Sequence, residues 1–339
     1  MLGEVGRVYS GEAEALRRRF DAGRPLLLDA ATGTELARRG VDTSPPLWSA
    51  RGLLDAPDLV RTIHAENAAA GAEILTIASF RLHGRNLQEA PPGVFLEDKI
   101  ARIQANLISK AVALAREAAA GASVARAAPA RSAAPSRSSP PEKNGPWVAG
   151  SLAPLEDCYL PDLVPPQSDV EREHREMAEA LAAAGCDLIL VETMNTVREL
   201  LAAASAALRT SLPVVASMVT DGRGRLLSGE PIEAAALALL ALPRPPDALG
   251  VNCIPARAME AELGRLAAAA PGVPLVAYAN TGRAIDERAG LFSDPIGPRD
   301  YAGLARGWLA AGARLLGGCC GTTSAHTAAL KALLDGYGK

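Results

Sequence analysis

Two stretches of the sequence place cysteines directly after short apolar segments. Cys253 closes Gly250-Val251-Asn252-Cys253, and Cys319 and Cys320 lie within Leu315-Leu316-Gly317-Gly318-Cys319-Cys320-Gly321. Bridging adjacent cysteines strains the peptide between them, so this pair is poor material for a disulfide. Three thiolates leave a zinc ion one ligand short of a closed tetrahedron, and an open position is typical of a catalytic site. The motifs therefore predict a catalytic zinc site made of Cys253, Cys319 and Cys320.

Both motifs also have a structural interpretation. Cys253 could be a small buried apolar residue, and residues 317–321 could form a phosphate loop, because barrels often bind phosphate after the eighth strand. A phosphate loop uses backbone N–H groups and gains nothing from two thiols, which favours the metal site. The other two cysteines are predicted to be structural, because Cys186 enters a strand and Cys158 lies in a loop without a partner at ligand spacing.

The predicted ligand set limits the chemistry. A zinc ion held by three thiolates has a net charge of about −1, which makes it a weak Lewis acid. A substrate thiol in the fourth position would lose its proton, as coordinating thiols do. A free thiol, with a pKa of about 8.5, is mostly protonated at neutral pH. The site is therefore predicted to make a sulfur nucleophile that attacks a saturated carbon, in an alkyl transfer.

Two carboxylates complete the candidate site. Asp29 and Glu192 each end an apolar segment, where a charge is costly unless it meets a cation or hydrogen-bond donors. The ammonium group of an amino-acid substrate would serve, and pairing with arginines such as Arg81 or Arg85 is the structural alternative. No histidine has a second histidine four residues further on, so only His83, in a loop, is a candidate near substrate.

The composition indicates a cytoplasmic protein that binds neither nucleic acid nor membranes. The chain has 339 residues, 49% of them hydrophobic, and a formal net charge of −3 without long runs of one sign. No apolar signal segment opens the sequence, and no apolar run reaches the roughly 18 residues of a spanning helix. Five cysteines without a secretion signal favour metal binding or catalysis over disulfides.

Short apolar segments alternate with helical patterns along the chain. Strands are predicted at 25–28, 73–79, 147–151, 187–191, 213–218, 248–251, 274–278 and 315–316. A helix at 11–22 precedes the first strand. Further helices are predicted to begin near residue 32 and to cover 57–70, 96–120, 168–184, 196–208, 231–241, 256–269, 299–311 and 324–335.

Strands that are each followed by a helix predict a parallel sheet. Closed on itself, this is an α/β protein with a single (β/α)8 TIM barrel, one domain over residues 1–339. An open doubly wound sheet is the alternative, but no G-x-G-x-x-G pattern follows the first strand. Residues 121–146 are rich in Ala, Pro, Ser and Arg and are predicted to be a disordered insertion between the helix at 96–120 and the third strand.

A barrel brings the carboxyl ends of its strands to one mouth. The residues at those predicted ends share one expected location, a pocket that combines thiols, carboxylates and hydroxyls. They are Asp29, Ser79, Ser151, Glu192, Cys253, Tyr278, Cys319 and Cys320.

Together, five segments resemble the homocysteine S-methyltransferase family. They are Leu28-Asp29 followed by Thr32-Gly33-Thr34-Glu35-Leu36, then Leu47-Trp48-Ser49-Ala50, Val191-Glu192-Thr193, Gly250-Val251-Asn252-Cys253 and Gly317-Gly318-Cys319-Cys320-Gly321. The resemblance covers about 25–335 apart from the insertion. It implies that the three cysteines hold Zn²⁺ and that homocysteine sulfur completes the shell, with Asp29 and Glu192 at its amino-acid end. Ser79, Asn252 and Tyr278 are the further candidates for substrate contact.

The implied reaction is methyl transfer from a small sulfonium donor to homocysteine, giving methionine. The segment at 47–50 looks most like members that use S-methylmethionine or S-adenosylmethionine. Two departures concern donor and acceptor identity: Ala30 stands where the family often has glycine, and residues 76–80 replace a strand end rich in threonine and asparagine.

Three alternatives stay open. One is a quaternary ammonium donor of the betaine type, which Phe80, Tyr278 or Trp48 could meet with an aromatic face. The others are a selenol acceptor and a non-catalytic binder or methyl-carrier partner. The expected partners are small molecules, and the sequence does not set an oligomeric state.

Overall fold

Apolar segments rich in leucine, valine and alanine form the strands. The computed structural model describes residues 11–21, 24–90, 99–127, 145–286 and 291–337. Its strands in chain order are β1 (Leu26–Leu27), β2 (Ile74–Thr76), β3 (Trp147–Leu152), β4 (Leu188–Met194), β5 (Val214–Met218), β6 (Ala248–Pro255), β7 (Leu275–Asn280), β8 (Arg283–Asp286), β9 (Leu291–Ser293) and β10 (Ala313–Gly318).

All strands except β8 and β9 belong to one parallel sheet. Its order is β1-β10-β7-β6-β5-β4-β3-β2, so β1 and β2 are the two edges. A parallel bridge between Leu28 and Ile74 joins these edges, and the Asp29 N–H donates to the Ile74 carbonyl at 3.0 Å. The sheet is therefore a nearly closed barrel, as predicted, and not an open doubly wound sheet.

Helices surround the barrel. In chain order they are α1 (Gly11–Asp21), α2 (Thr32–Arg38), α3 (Arg51–Asp55), α4 (Pro57–Ala70), α5 (Gly84–Gln88), α6 (Ile100–Ala127), α7 (Gln167–Ala183), α8 (Val197–Arg209), α9 (Ile232–Leu240), α10 (Met259–Ala269), α11 (Pro298–Ala310) and α12 (Ser324–Gly336). Short 3₁₀ turns cover Trp48–Ala50 and Pro161–Leu163. Within the described chain, no helix is long and apolar enough to span a membrane.

Several elements differ from the predictions. The helix predicted to stop at residue 120 continues through Ala127, because the alanine-rich sequence after Gly121 keeps a high helix propensity. The first residues of the proposed insertion are therefore helical, while 128–144 lie outside the described residues, as do 96–98 of the predicted helix. The antiparallel pair β8 and β9 was not predicted, and neither were the five-residue helices α3 and α5.

Two apolar layers stabilise the barrel. One lies between the strands and the outer helices, and the other fills the interior with inward side chains such as Leu26, Ile74, Leu188 and Val276. Leu16 and Phe20 of α1 belong to the interior cluster and are almost fully buried. The N-terminal helix therefore covers the barrel end opposite the predicted site, which leaves the carboxyl ends of the strands as the open face.

Candidate active site at the carboxyl ends of the strands

A pocket of about 1050 Å³, including its open mouth, lies at the carboxyl ends of the strands. Its lining comes from both ends of the sequence and from the middle. Among the lining residues are Asp29, Trp48, Thr76, Phe80, Ser151, Cys158, Tyr159, Glu192, Thr193, Cys253, Tyr278, Cys319 and Cys320.

The three predicted ligand cysteines meet at one wall of this pocket. The Cys253 Sγ atom lies 3.0 Å from Cys319 Sγ and 3.8 Å from Cys320 Sγ, and all three sulfurs lie within 4.8 Å of one another. Zn–S bonds of about 2.3 Å in a tetrahedron place the sulfurs about 3.8 Å apart. The cluster therefore fits a metal ion after an opening of less than about 1 Å between Cys253 and Cys319.

Backbone geometry explains how the chain presents these thiols. Cys253 has a left-handed backbone with φ of 59°, which few non-glycine residues adopt. After Cys320 the chain turns at Gly321, with φ of 82°, where the Gly321 N–H donates to Thr34 Oγ1 at 3.0 Å. A Cβ atom on Gly318 would lie 2.2 Å from Thr322 Oγ1. The glycines around the cysteine pair are therefore required by close packing.

The thiols influence one another strongly. The pKa of Cys253 lies well below its ordinary value because the Cys319 and Cys320 thiols donate hydrogen bonds to it. The pKa values of Cys319 and Cys320 are raised, chiefly by the same interactions with Cys253. The Tyr159 hydroxyl also donates to Cys253 Sγ, at 3.4 Å. The three thiols are thus coupled through their hydrogen bonds, and a cation bound at the cluster would stabilise their thiolate forms.

Asp29 and Glu192 line the same pocket and are buried. Burial raises the pKa of each carboxyl group to about 7. Asp29 accepts a hydrogen bond from the Thr76 N–H at 2.8 Å, and Glu192 accepts hydrogen bonds from the hydroxyls of Ser151 and Tyr278. Both carboxyl groups accept hydrogen bonds from neutral donors, and neither forms an ion pair with a lysine or an arginine among the described residues.

The arginine alternative for these carboxylates is wrong. Arg85 forms ion pairs with Glu156 and Glu173 instead. The Arg81 guanidinium lies over the Trp48 ring, 4.9 Å from its centroid. Among the described residues, no lysine or arginine forms an ion pair with Asp29 or Glu192. The nearest basic group to Asp29 is His64, with Nδ1 at 3.9 Å from Oδ2, and burial lowers its pKa to about 4, so that it is neutral.

Two of the predicted substrate contacts do not lie in the pocket. The Ser79 hydroxyl donates to the Ser151 carbonyl at 2.9 Å and is fully buried behind the wall. Asn252 is also fully buried and bonds to Thr193 and Ser217. His83 contacts the Ala153 carbonyl at 2.9 Å, away from the pocket. These three side chains bond to neighbouring strand ends and loops and do not line the pocket, whereas Tyr278 and Ser151 line it as predicted.

Comparisons with known proteins identify the family of this chain. The model of the homocysteine S-methyltransferase family matches residues 26–334. The chain belongs to this family. A homocysteine S-methyltransferase of Escherichia coli (strain K12) is 34% identical over 330 residues, which are 94% of this chain and 97% of that protein. A selenocysteine Se-methyltransferase of Brassica oleracea var. italica is 27% identical over 310 residues, 89% and 87% of the two chains.

Solved structures of the family show the same architecture. The metallated form of the homocysteine methyltransferase MmuM from Escherichia coli is 31% identical, with a TM-score of 0.72, covering 94% of this chain and 99% of that one. Its oxidized form has a TM-score of 0.73 at 30% identity and covers 95% and 99% of the two chains. The chain is therefore a methyltransferase of this family with its (β/α)8 barrel.

Some pocket residues of this family member were missed from the sequence. Tyr159 lies in the loop after β3, and no motif marked it. Cys158 was predicted to have a structural role only, but it lines the pocket. The predicted strands indicate which residues lie at strand ends, but they do not indicate where the residues of a loop lie. Cys186 is structural, as predicted, because it packs in the apolar layer outside the strands, where burial raises its pKa to about 12.

Proposed function

We propose that this enzyme transfers a methyl group from a small sulfonium donor, S-methylmethionine or S-adenosylmethionine, to the thiol of L-homocysteine and gives methionine. The observation that carries the proposal is one pocket with a cluster of three thiols and two buried carboxylates that have no cationic partner among the described residues. An amino acid with a thiol side chain presents the two complementary groups, a sulfur and an ammonium.

Zinc is the metal that suits the cluster best. Three soft thiolate donors favour zinc over hard cations such as Mg²⁺ or Ca²⁺, which take oxygen ligands. Bound by Cys253, Cys319 and Cys320, zinc would supply an open position at which a substrate thiol exists as the thiolate at neutral pH. Tyr159 lines the pocket beside the cluster, with its hydroxyl 3.4 Å from Cys253 Sγ.

The chain's own carboxylates would hold the amino-acid end of the acceptor. An ammonium group between Asp29 and Glu192 stabilises their charged forms, which burial alone disfavours. Binding therefore displaces a carboxyl proton at neutral pH and fixes the acceptor at one end. Fixing the reacting sulfur relative to the donor lowers the entropic part of the barrier.

The Trp48 and Phe80 rings form another part of the pocket lining, with centroids 5.9 Å apart. The Arg81 guanidinium lies over both rings, 4.9 Å from the Trp48 centroid and 5.9 Å from the Phe80 centroid. A cationic methyl donor would have to meet the aromatic surface that Arg81 leaves uncovered. Aromatic faces attract cations, and a largely apolar pocket favours a displacement in which a thiolate and a sulfonium neutralise each other. The same surface would accept a quaternary ammonium, so donor identity needs a direct test.

Donor profiling tests the proposed reaction. Purified zinc-loaded protein is mixed with L-homocysteine and, separately, with S-methylmethionine, S-adenosylmethionine or betaine, and methionine is measured over many turnovers. We expect turnover with a sulfonium donor and none without a donor. Turnover with betaine alone would reject the sulfonium proposal, and absence of turnover with every donor would favour a binder. Selenocysteine as acceptor tests the alternative that the Brassica relative raises.

Metal stoichiometry tests the ligand set. We expect about one zinc per chain in the purified protein, and less than about one tenth of that in Cys253→Ala, Cys319→Ala or Cys320→Ala, because removing one of three ligands leaves too few donors. Cys186→Ala is the matched control, since this thiol is buried outside the strands. Metal loss in Cys186→Ala to the same degree would contradict the assignment.

A further inference from the structure

We propose that Asn252 fixes the distance between the thiol end of the site, at Cys253, and its carboxylate end, at Glu192. Through this fixed distance the site selects acceptor amino acids by their length. The inference rests on the proposed function, because it assigns those two ends to the sulfur and the ammonium of one substrate. It gives Asn252 a positioning role in place of the substrate contact that the sequence predicted.

Asn252 is bonded to the residue that follows the site carboxylate. Its Oδ1 accepts from the Thr193 N–H at 2.9 Å, and its Nδ2 donates to Thr193 Oγ1 at 2.7 Å. Thr193 directly follows Glu192, and Asn252 directly precedes Cys253. One buried side chain therefore ties the backbone beside the carboxylate to the backbone beside the thiol, across the intervening strand β5.

The two residues held in this way have unusual backbones. Thr193 has φ of 60° and Cys253 has φ of 59°. A left-handed conformation is especially unfavourable for a β-branched residue such as threonine, and it persists only when surrounding contacts enforce it. Both residues also lie where the pairing register shifts, between Val191 and Met194 and between Asn252 and Pro255. Neither residue is paired in the ladder, and the Asn252 side chain holds Thr193, while Cys253 follows Asn252 directly in the chain.

A further hydroxyl fixes the orientation of the Asn252 amide. Ser217 of β5 donates to Asn252 Oδ1 at 2.6 Å, and Ser217 Oγ lies 2.6 Å from the Tyr278 hydroxyl. All of these groups are buried. Asn280 provides a useful contrast, because its Nδ2 donates to the Cys253 carbonyl at 3.1 Å. It supports the thiol end alone.

A fixed separation discriminates by chain length. Homocysteine has one methylene more than cysteine between the sulfur and the carbon that bears the ammonium. With both ends of the site held, cysteine cannot place its sulfur at the cluster and its ammonium at Glu192 together. An apolar pocket by itself distinguishes one methylene by only about 10–200-fold, so a rigid separation adds discrimination that the pocket wall cannot supply.

Acceptor discrimination in Asn252→Ala tests the proposal. The measurement is kcat/KM for L-homocysteine divided by kcat/KM for L-cysteine, with the donor that supports wild-type turnover, in zinc-loaded protein. We expect this ratio to fall by about tenfold, since misplacing a reacting group by about 1 Å can cost up to 10²-fold. Asn280→Ala, an equal truncation, keeps the Asn252 bonds that tie Thr193 to the backbone beside Cys253, so the ratio should stay within about twofold. An unchanged ratio in Asn252→Ala would overturn the proposal.

A second readout needs neither metal nor activity. In metal-free protein, hydrogen–deuterium exchange of the Thr193 amide should be slow in wild type and in Asn280→Ala and at least about tenfold faster in Asn252→Ala. Unchanged exchange in Asn252→Ala would overturn the proposal. Thr193→Val, which keeps the branching and removes only the hydroxyl, serves if Asn252→Ala does not fold, and its ratio should fall by a smaller factor. If wild type uses no homocysteine, the proposed function fails, while the exchange result still reports on the Asn252 link.

Discussion

Strand β4 carries an acidic residue at each end, and the two have opposite surroundings. Asp187, just before the strand, accepts from Arg116 with both oxygens, at 2.8 and 2.7 Å, and from the Val148 N–H at 2.7 Å. Glu192, near the other end, accepts only from the neutral donors Ser151 and Tyr278 among the described residues. The first carboxylate has a cation within the protein, and the second has none among the described residues.

The same arrangement recurs around the base of the barrel. Glu73 precedes β2, pairs with Arg19 at 2.9 Å and accepts from the Leu27 N–H at 3.3 Å. Asp247 precedes β6, pairs with Arg17 at 3.0 Å and accepts from the Val214 N–H at 2.8 Å. Each of these acids joins a neighbouring strand to an arginine. At the amino ends of the strands, charge is therefore used for stability.

At the carboxyl ends of the strands, burial makes the charged forms of the carboxylates unfavourable. Burial raises the pKa values of Asp29 and Glu192 to about 7, which means that the folded protein disfavours their charged forms. Active sites are where such perturbed groups concentrate. The contrast between the ends of one strand thus separates the structural acids from those available to a substrate.

The sharpest way to test this contrast is Glu192→Gln. The change keeps the shape but removes the charge that would hold the substrate ammonium, so we expect kcat/KM for homocysteine to fall by about 10–100-fold. The free energy of unfolding should not fall, since a buried acid is replaced by a neutral amide. Steady-state kinetics and urea denaturation of the same preparation measure both. A large loss of stability with normal kinetics would reverse the assignment of the two strand ends.

Asp187→Asn is the matched change at the other end. Loss of the charge-assisted bonds to Arg116 should lower the free energy of unfolding by about 1–2 kcal/mol. The kcat/KM of the folded enzyme should stay within about twofold, because the pocket lies at the far end of the strand. Urea denaturation gives the first quantity and kinetics well below the transition gives the second. An unchanged stability would mean that the basal ion pair is screened by water.

Counted per pH unit, the smallest expected effect is on the pH dependence of stability. The pKa of Asp29 rises from an ordinary 3.8 to about 7 on folding, so between these values the folded protein binds more protons than the unfolded chain. Stability from this group is complete below pH 4 and is lost as pH rises to 7. In metal-free protein, Asp29→Asn should therefore reduce the fall in unfolding free energy by about 0.5–1 kcal/mol per pH unit over this window. Urea denaturation across pH 4 to 7 in both proteins measures this difference, and identical slopes would contradict the burial of an uncompensated acid.

The residues at the predicted strand ends include much of the site, but two of them do not line the pocket. Asp29, Ser151, Glu192, Tyr278 and the three cysteines of the cluster line the pocket as expected. Ser79 and Asn252 were predicted at strand ends as well, but β2 ends at Thr76, before Ser79, and β6 continues past Asn252 through a register shift. Sequence patterns give the period of a strand, and a local shift in register decides which residue faces the pocket.

By itself, the sequence determined the barrel and the three cysteines that meet in one cluster, because alternating apolar segments and helices leave few parallel folds and the carboxyl ends of barrel strands share one mouth. Only the tertiary structure decided which acids remain without an arginine, that Tyr159 and Cys158 join the pocket, and that Asn252 links Thr193 to the neighbourhood of Cys253. These depend on partners that are far apart in the chain, and no local pattern of residues encodes which distant groups meet.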